Sequence, residues 1–325
     1  MGQYESRYIT LDNGLGLVGI FSTLGAGVKS LKLDGMPLIL EFEDEQAYLS
    51  STGFHGKTLA RVAGRIPDEF VISGKHYAVK GDADHVCLHG GILDSLTFKN
   101  FEPTFEEDEN EVRVVFHYLS PDMEAGFPGN LDTYITYAMS KSENTLTITC
   151  KATTDKDTLV SFSNHMYWLI GNDHDVNDYT LQVKASKMGV FKSGCQLVVG
   201  LKDVEDCLDF RKPVLLKEKL DEIQKEHPEI GTLDHTFLFD EGEVDPKVIM
   251  DTKDVHLEVD TDFDSINFYV DTCLVPYKFT NGEYLSNATR RAIAIEPETF
   301  PLLSNIVLKA NDTYEHKMSF RITKK

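Results

Sequence analysis

Long apolar runs are absent from this 325-residue sequence: no stretch approaches the ~18 consecutive apolar residues that would span a bilayer. The opening residues, Met-Gly-Gln-Tyr-Glu-Ser-Arg-Tyr, lead directly into strand-like alternation without the basic and apolar segments of a secretory leader, so neither export nor anchoring is expected. Cysteine is scarce. Cys87, Cys150, Cys195, Cys207 and Cys273 form an odd set with no Cys-x-x-Cys pair, which fits reduced thiols in the cytoplasm and argues against a disulfide framework. Positive charge is short as well: 32 Lys and Arg face 53 Asp and Glu, for a net charge of −21. Such a chain repels nucleic acid and anionic membranes, so a polyanionic partner is not expected. Low-complexity linkers, composition shifts and repeats of fixed period are also missing, and residues 1–325 are expected to form a single domain.

What is present is strand. Short alternating or β-branched segments recur along nearly the whole chain, among them 7–11, 15–21, 28–33, 112–119, 133–139, 145–153, 255–259 and 266–270. Turn signals separate them: Asp12-Asn-Gly14, Asp34-Gly35, Ser73-Gly74 and Asn281-Gly282. The fold class this predicts is all-β, a large antiparallel β-sandwich, whose concave face is a natural ligand groove. The clearest helical pattern runs from Pro213 to His227, with Leu216, Leu220 and Ile223 on one face.

Polar residues inside apolar strands carry the chemical signal, because burying them costs free energy unless they are paired or used. In Leu159-Val-Ser-Phe-Ser-Asn-His-Met-Tyr-Trp-Leu-Ile170 the break falls at Ser163, Asn164 and His165, so His165 is either a satisfied core histidine or chemically employed. Arg61 and Arg65 flank small residues in Leu59-Ala-Arg-Val-Ala-Gly-Arg-Ile66 and call for carboxylates or hydroxyl oxygens. His89 precedes two glycines that permit close approach of backbone or ligand, and Asp234 opens an apolar strand, where it either caps a turn or faces a ligand. Glu296 follows four apolar residues and precedes a proline. Poor solvation there would raise its pKa toward a general base's range, and Glu298 shares its strand parity. His85, Cys87 and His89 alternate on one strand as possible soft ligands, but no partner pair of metal-ligand spacing occurs elsewhere, so no metal is expected.

Six blocks occur in order: Ala60-Arg-Val-Ala-Gly-Arg-Ile66, Leu88-His-Gly-Gly91, Ala125-Gly-Phe-Pro-Gly-Asn-Leu131, Ser163-Asn-His-Met-Tyr167, Leu233-Asp-His-Thr-Phe237 and Ile295-Glu-Pro-Glu-Thr-Phe-Pro301. On these blocks the sequence resembles the aldose 1-epimerase (galactose mutarotase) family from about Gly14 to its end. The resemblance implies a β-supersandwich that interconverts the α and β anomers of a free aldose without a cofactor. It implies Glu296 as the base for the anomeric hydroxyl and His165 as the acid for the ring oxygen. The first is expected to start ionised and the second protonated. It implies further that His89 lies near the ring oxygen, that Arg65 and Asp234 grip sugar hydroxyls from opposite sides of the groove, and that Asn267 stands where many members carry Gln. The partner is then a small free sugar, and the protein a monomer or homodimer. Tyr167, Trp168 and Phe300 could cover the sugar's apolar face or pack in the core.

Gly64 replaces a common Asn, Leu302-Leu-Ser replaces an Asp-containing stretch before a shortened loop after Asn305, and Met166 and Trp168-Leu169 also depart from the family pattern. These changes leave the acid and base in place and bear on which sugar is preferred. Three other readings stay open: a hexose 6-phosphate epimerase with a phosphate site built from Lys57, Arg61 and Arg65; a non-catalytic carbohydrate-binding protein; and a hydrolase using Asp234 and Glu296 as paired carboxylates.

Overall fold

The computed structural model describes residues 6–51, 53–91, 95–171, 173–242, 245–271, 279–280 and 290–325. Cys273 and the Asn281-Gly282 turn lie outside the described residues. Three sheets, every strand pair in them antiparallel, carry most of the structure. The largest has nine strands, ordered Glu102–Glu107, Glu111–Ser120, Leu131–Ser140, Thr145–Thr154, Thr313–Lys324, Val255–Thr261, Val248–Asp251, Thr180–Val183 and Val214–Leu215. Its central strands bury every second residue, such as Val112, Val114 and Phe116 or Leu146, Ile148 and Cys150, as expected of a sheet with one face on the core. A four-stranded sheet, Tyr8–Asp12 to Met36–Pro37, adds to the same core, which runs from Leu11 to Ile322. The turns read from sequence at Asp34-Gly35 and Ser73-Gly74 have positive φ at both residues, the geometry that matches the right-handed twist of the strands they join.

The six-stranded sheet positions the site. Its order is Tyr167–Trp168, Ile293–Glu298, Ser265–Val270, Asp234–Leu238, Lys187–Phe191 and Val198–Asp203. Ile293–Glu298 is buried at all six positions, so both its faces are covered. Ile293, Ile295, Ile266, Phe268, Val270 and Phe237 point into the core. The register sets Glu296 opposite Asn267 and Asn267 opposite Thr236, while Asp234, Tyr269, Ala294 and Tyr167 form the adjacent row. Antiparallel partners share a face, so these residues all lie on the face of the sheet that carries Glu296.

Two sequence expectations change in detail. The 159–170 run is not one strand: Leu159 pairs with Val307, Ser163 with Leu59, and Tyr167 with Ala294, so the chain crosses from partner to partner with His165 in the gap. The helix spans Leu216–Glu226, beginning after the sequence pattern does, because Val214 and Leu215 first pair with the edge of the nine-stranded sheet. A second, short helix spans Glu45–Ser50. No helix among the described residues is long and apolar enough to cross a membrane.

Candidate active site

Between its two pairings the backbone at His165 is held by Lys57, whose carbonyl accepts from the His165 N–H, and by Gly56, whose N–H donates to the His165 carbonyl. Asn164 is consumed locally: it donates to the Tyr137 hydroxyl (2.8 Å) and accepts from the Met166 N–H (3.1 Å). Tyr167 packs on the His165 ring with centroids 4.7 Å apart, and His55 stacks behind Tyr167 at 4.3 Å, so the imidazole has little freedom to rotate. Its Nε2 stands 3.7 Å from Glu296 Oε1, and both side chains are almost fully buried.

Each neighbour is itself held. Thr236 donates to Asn267 Oδ1 (3.1 Å), which turns the Asn267 amide nitrogen toward Glu296 Oε1 at 3.3 Å. The Gly64 N–H donates to His89 Nδ1 (3.1 Å), and the His89 N–H donates back to the Gly64 carbonyl, so the neutral His89 ring carries its proton on Nε2. A Cβ at Gly90, where φ is +73°, would lie 3.1 Å from the Ala60 carbonyl oxygen, which is why glycine follows His89. Arg65 and Asp234 meet directly, at 3.0 and 3.5 Å, and Gln196 adds a 2.8 Å bond to Asp234 Oδ2. The pair therefore stands on one side of the groove rather than across it. Glu296, His165, His89, Asn267, Arg65 and Asp234 line a cavity of about 320 Å³, near the small end of the roughly 300–1,000 Å³ usual for small-molecule sites.

Burial sets the proton inventory. It pushes Glu296 up to about 8, against the hydrogen bond from Asn267, and His165 down to about 4. Burial thus favours the uncharged form of each group, a protonated Glu296 and a neutral His165, and works against the ionised and protonated starting forms expected from sequence. Removing both groups from water disfavours either charge. Burial also raises Asp234, but the Arg65 charge and hydrogen bonds outweigh it and hold the carboxyl below its ordinary range. Burial keeps His89 neutral.

Glu298 lies on the same face, fully buried, with neither carboxylate oxygen bonded among the described residues, and burial followed by the Glu296 charge raises its pKa well above normal. A carboxyl that keeps its proton in the fold and loses it on unfolding makes stability fall as pH rises above the unfolded value. Glu298→Gln is therefore expected to flatten that decline: its urea midpoint should change less than that of the wild type between about pH 5 and pH 8.

Several sequence candidates fall outside the pocket. Lys57 is buried with Nζ 3.6 Å from the Phe98 ring centroid, and Arg61 is bonded to Ser120 and the Pro121, Phe127 and Pro128 carbonyls. With Arg65 committed to Asp234, these three cations build no phosphate site. Asp234, tied to Arg65, is no free acid for a paired-carboxylate hydrolase. His85 is exposed and bonded to Asp68 at 3.0 Å, while Cys87 is buried in a separate apolar cluster, so they do not converge with His89. A different trio does: the ligand atoms of His89, His165 and Glu296 lie within 4.8 Å of one another and could hold a cation. Met166, Trp168 and Leu169 are core residues, and Phe300 is buried without lining the cavity, whereas Gly64 and Tyr167 line it. Gln196, Thr236 and Tyr269 were not anticipated. Strand parity with Asp234 and Asn267 points to the last two; Gln196 sits in a hairpin loop and carries no such signal.

The family model "Aldose 1-epimerase" matches residues 7–321. The maltose epimerase of Levilactobacillus brevis is 26% identical over 339 residues, covering 99% of this chain and 96% of its own. The aldose 1-epimerase of Escherichia coli K12 is 27% identical over 314 residues, covering 91% and 86%. The galactose 1-epimerase structure from Lactobacillus acidophilus superposes with a TM-score of 0.87 at 23% identity over 100% of this chain and 96% of the other, which shows a shared galactose mutarotase-like fold. With strand register, pocket and family model in agreement, the chain belongs to the aldose 1-epimerase family.

Proposed function

We propose that the protein, as one unit over 1–325, is a cofactor-independent mutarotase that interconverts the α and β anomers of a free aldose such as galactose or glucose. The observation that carries this reading is the buried Glu296–His165 pair, 3.7 Å apart in a sugar-sized pocket. Ring opening requires a proton to leave the anomeric hydroxyl and another to reach the ring oxygen. One carboxyl and one imidazole sharing a single proton can do both. Sugar hydroxyls entering the pocket, with Asn267 and Arg65 nearby, solvate the Glu296 carboxylate in place of water and shift the proton to His165. Glu296 then accepts the anomeric proton, His165 protonates the ring oxygen, and the aldehyde forms. Rotation about the C1–C2 bond and reclosure by the same groups in reverse yield the other anomer. His89 Nε2–H donates near the ring oxygen, and the Arg65–Asp234 pair binds hydroxyls at the far end of the ring.

Optical rotation of freshly dissolved α-D-glucose and α-D-galactose tests this: the protein should hasten the decay to equilibrium, and no rate above buffer on any free aldose would sink the reading. The rate should survive EDTA, since protons alone do the work; abolition by chelation and recovery with a divalent cation would instead put a metal on His89, His165 and Glu296. With one proton needed on the pair, kcat/KM should fall at the acid end as a second proton binds near pH 4, and at the alkaline end as the pair's proton is lost near pH 8. A flat profile across that window would contradict the shared-proton account.

A further inference from the structure

Away from the sugar cavity, a second group of metal-binding atoms converges among the described residues. A carboxylate oxygen of Glu205, the sulfur of Cys207 and a ring nitrogen of His227 all lie within 4.8 Å of one another. Cys207 is fully buried in the one-turn helix Asp206–Leu208, and Glu205 leads into that turn. The helix Leu216–Glu226, with Leu216, Leu220 and Ile223 buried, packs against the turn and delivers His227 as its C-terminal cap. The His227 backbone is fixed in place: its N–H donates to the Ile223 carbonyl at 2.7 Å, and its carbonyl accepts from Ile230 and Gly231 at 3.1 and 2.8 Å. Two separate segments are thus held with their donor atoms facing one another.

The far sides of these groups are held as well. His227 Nε2 stands 2.6 Å from Glu205 Oε2, while its Nδ1 is 3.4 Å from Glu229 Oε1. Glu205 Oε1 accepts from Lys202, and Glu226 flanks the Cys207 thiol. Metal-bound imidazoles and carboxylates are supported in this way, the imidazole's other nitrogen on a carboxylate and the carboxylate's other oxygen on a donor. A plain helix cap would need only the His227–Glu205 contact and does not call for a thiol at the same point.

We infer that Glu205, Cys207 and His227 form a Zn²⁺ site that ties the end of the helix Leu216–Glu226 to the turn Asp206–Leu208. Thiolate, imidazole and carboxylate together suit Zn²⁺, whereas Ca²⁺ and Mg²⁺ prefer oxygen alone. Around tetrahedral Zn²⁺, with bonds of ~2.0–2.3 Å, ligand atoms stand roughly 3.3–3.7 Å apart. The Glu205–His227 pair therefore opens slightly and Cys207 draws in. Its thiol proton leaves to solvent, and the neutral His227 ring carries its own proton on Nδ1, facing Glu229. The His227 and Glu205 side chains are 22% and 34% exposed, so the ion can enter and a water can take the fourth position. None of the three residues lines the sugar cavity, and the ion takes no part in ring opening. It anchors instead the segment that carries Glu229 and Ile230 to the cavity wall. The site is independent of the mutarotase reading.

The test titrates the full-length protein, freed of metal with EDTA, with Co²⁺ and then Zn²⁺, using wild type, Cys207→Ser, His227→Gln and Glu296→Gln. One Co²⁺ per chain should bring up a thiolate-to-metal absorption band that is lost in Cys207→Ser. His89, His165 and Glu296 offer no sulfur and cannot produce it. Zn²⁺ should displace the Co²⁺ and raise the urea midpoint of wild type and Glu296→Gln alike. His227→Gln should bind Zn²⁺ at least about tenfold more weakly; this side chain is partly exposed, so the variant remains informative should Cys207→Ser fail to fold. No sulfur band with Co²⁺, or unchanged Zn²⁺ affinity in His227→Gln, would reduce the trio to a hydrogen-bonded helix cap. Binding lost in Glu296→Gln alone would put the ion in the sugar cavity and overturn the inference as well.

Discussion

Glu296→Gln should lower kcat for α-D-glucose or α-D-galactose by about 10²–10⁴-fold, with a smaller change in KM. The amide keeps the volume of the side chain and can still meet Asn267 and the sugar, but it has no site that accepts a proton at neutral pH. His165→Asn should cost a similar factor for the opposite reason, since the ring oxygen then leaves without a proton. Because the two groups share one proton and act in one step, the double variant should be little worse than either single one. In Glu296→Gln the alkaline fall in kcat/KM near pH 8 should also disappear, because the group that titrates there is gone. Full activity in Glu296→Gln would show that the carboxyl is not the base. A loss shared equally between kcat and KM would mark a binding role instead.

The second large effect is on stability rather than rate. Arg61 is 1% exposed, and its guanidinium satisfies the Ser120 hydroxyl and the carbonyls of Ser120, Pro121, Phe127 and Pro128. Arg61→Met would fill much of the volume but leave several buried carbonyls without donors, at a cost of about 3–5 kcal/mol in all. The urea midpoint should fall accordingly. Turnover per folded molecule should change little, since Arg61 does not line the cavity. A variant as stable as the wild type but unable to bind sugar would assign Arg61 to the site instead. The bonding also joins two blocks that lie far apart in the sequence: Arg61 belongs to one, and the Phe127 and Pro128 carbonyls to the other.

Much of the fold was legible because strand alternation and two-residue turns are local signals. The buried faces of Glu111–Ser120 and Thr145–Thr154, and the hairpins at Asp34-Gly35 and Ser73-Gly74, follow from side-chain period and backbone φ alone. The 159–170 run misled as a single strand, because composition reports burial but not which partner supplies the hydrogen bonds. The six residues named for the site, Glu296, His165, His89, Arg65, Asp234 and Asn267, all line one cavity. Their mutual arrangement was not legible. Arg65 and Asp234 bond to each other instead of facing across the groove, and Thr236 and Gln196 hold neighbours they cannot be seen to touch in sequence.

Sequence by itself determined that the chain is all-β, poor in positive charge, and supplied with a carboxyl and an imidazole stranded in apolar strands. These are properties of residue type and short-range period. Tertiary structure alone decided that Lys57 and Arg61 are spent on packing, that Met166 and Trp168 face the core, and that Glu205, Cys207 and His227 converge. It also decided which way burial shifts the two groups, the carboxyl up and the imidazole down. A pKa depends on the water a group has lost and the charges brought beside it, and only the folded chain brings Glu296 and His165 together away from solvent.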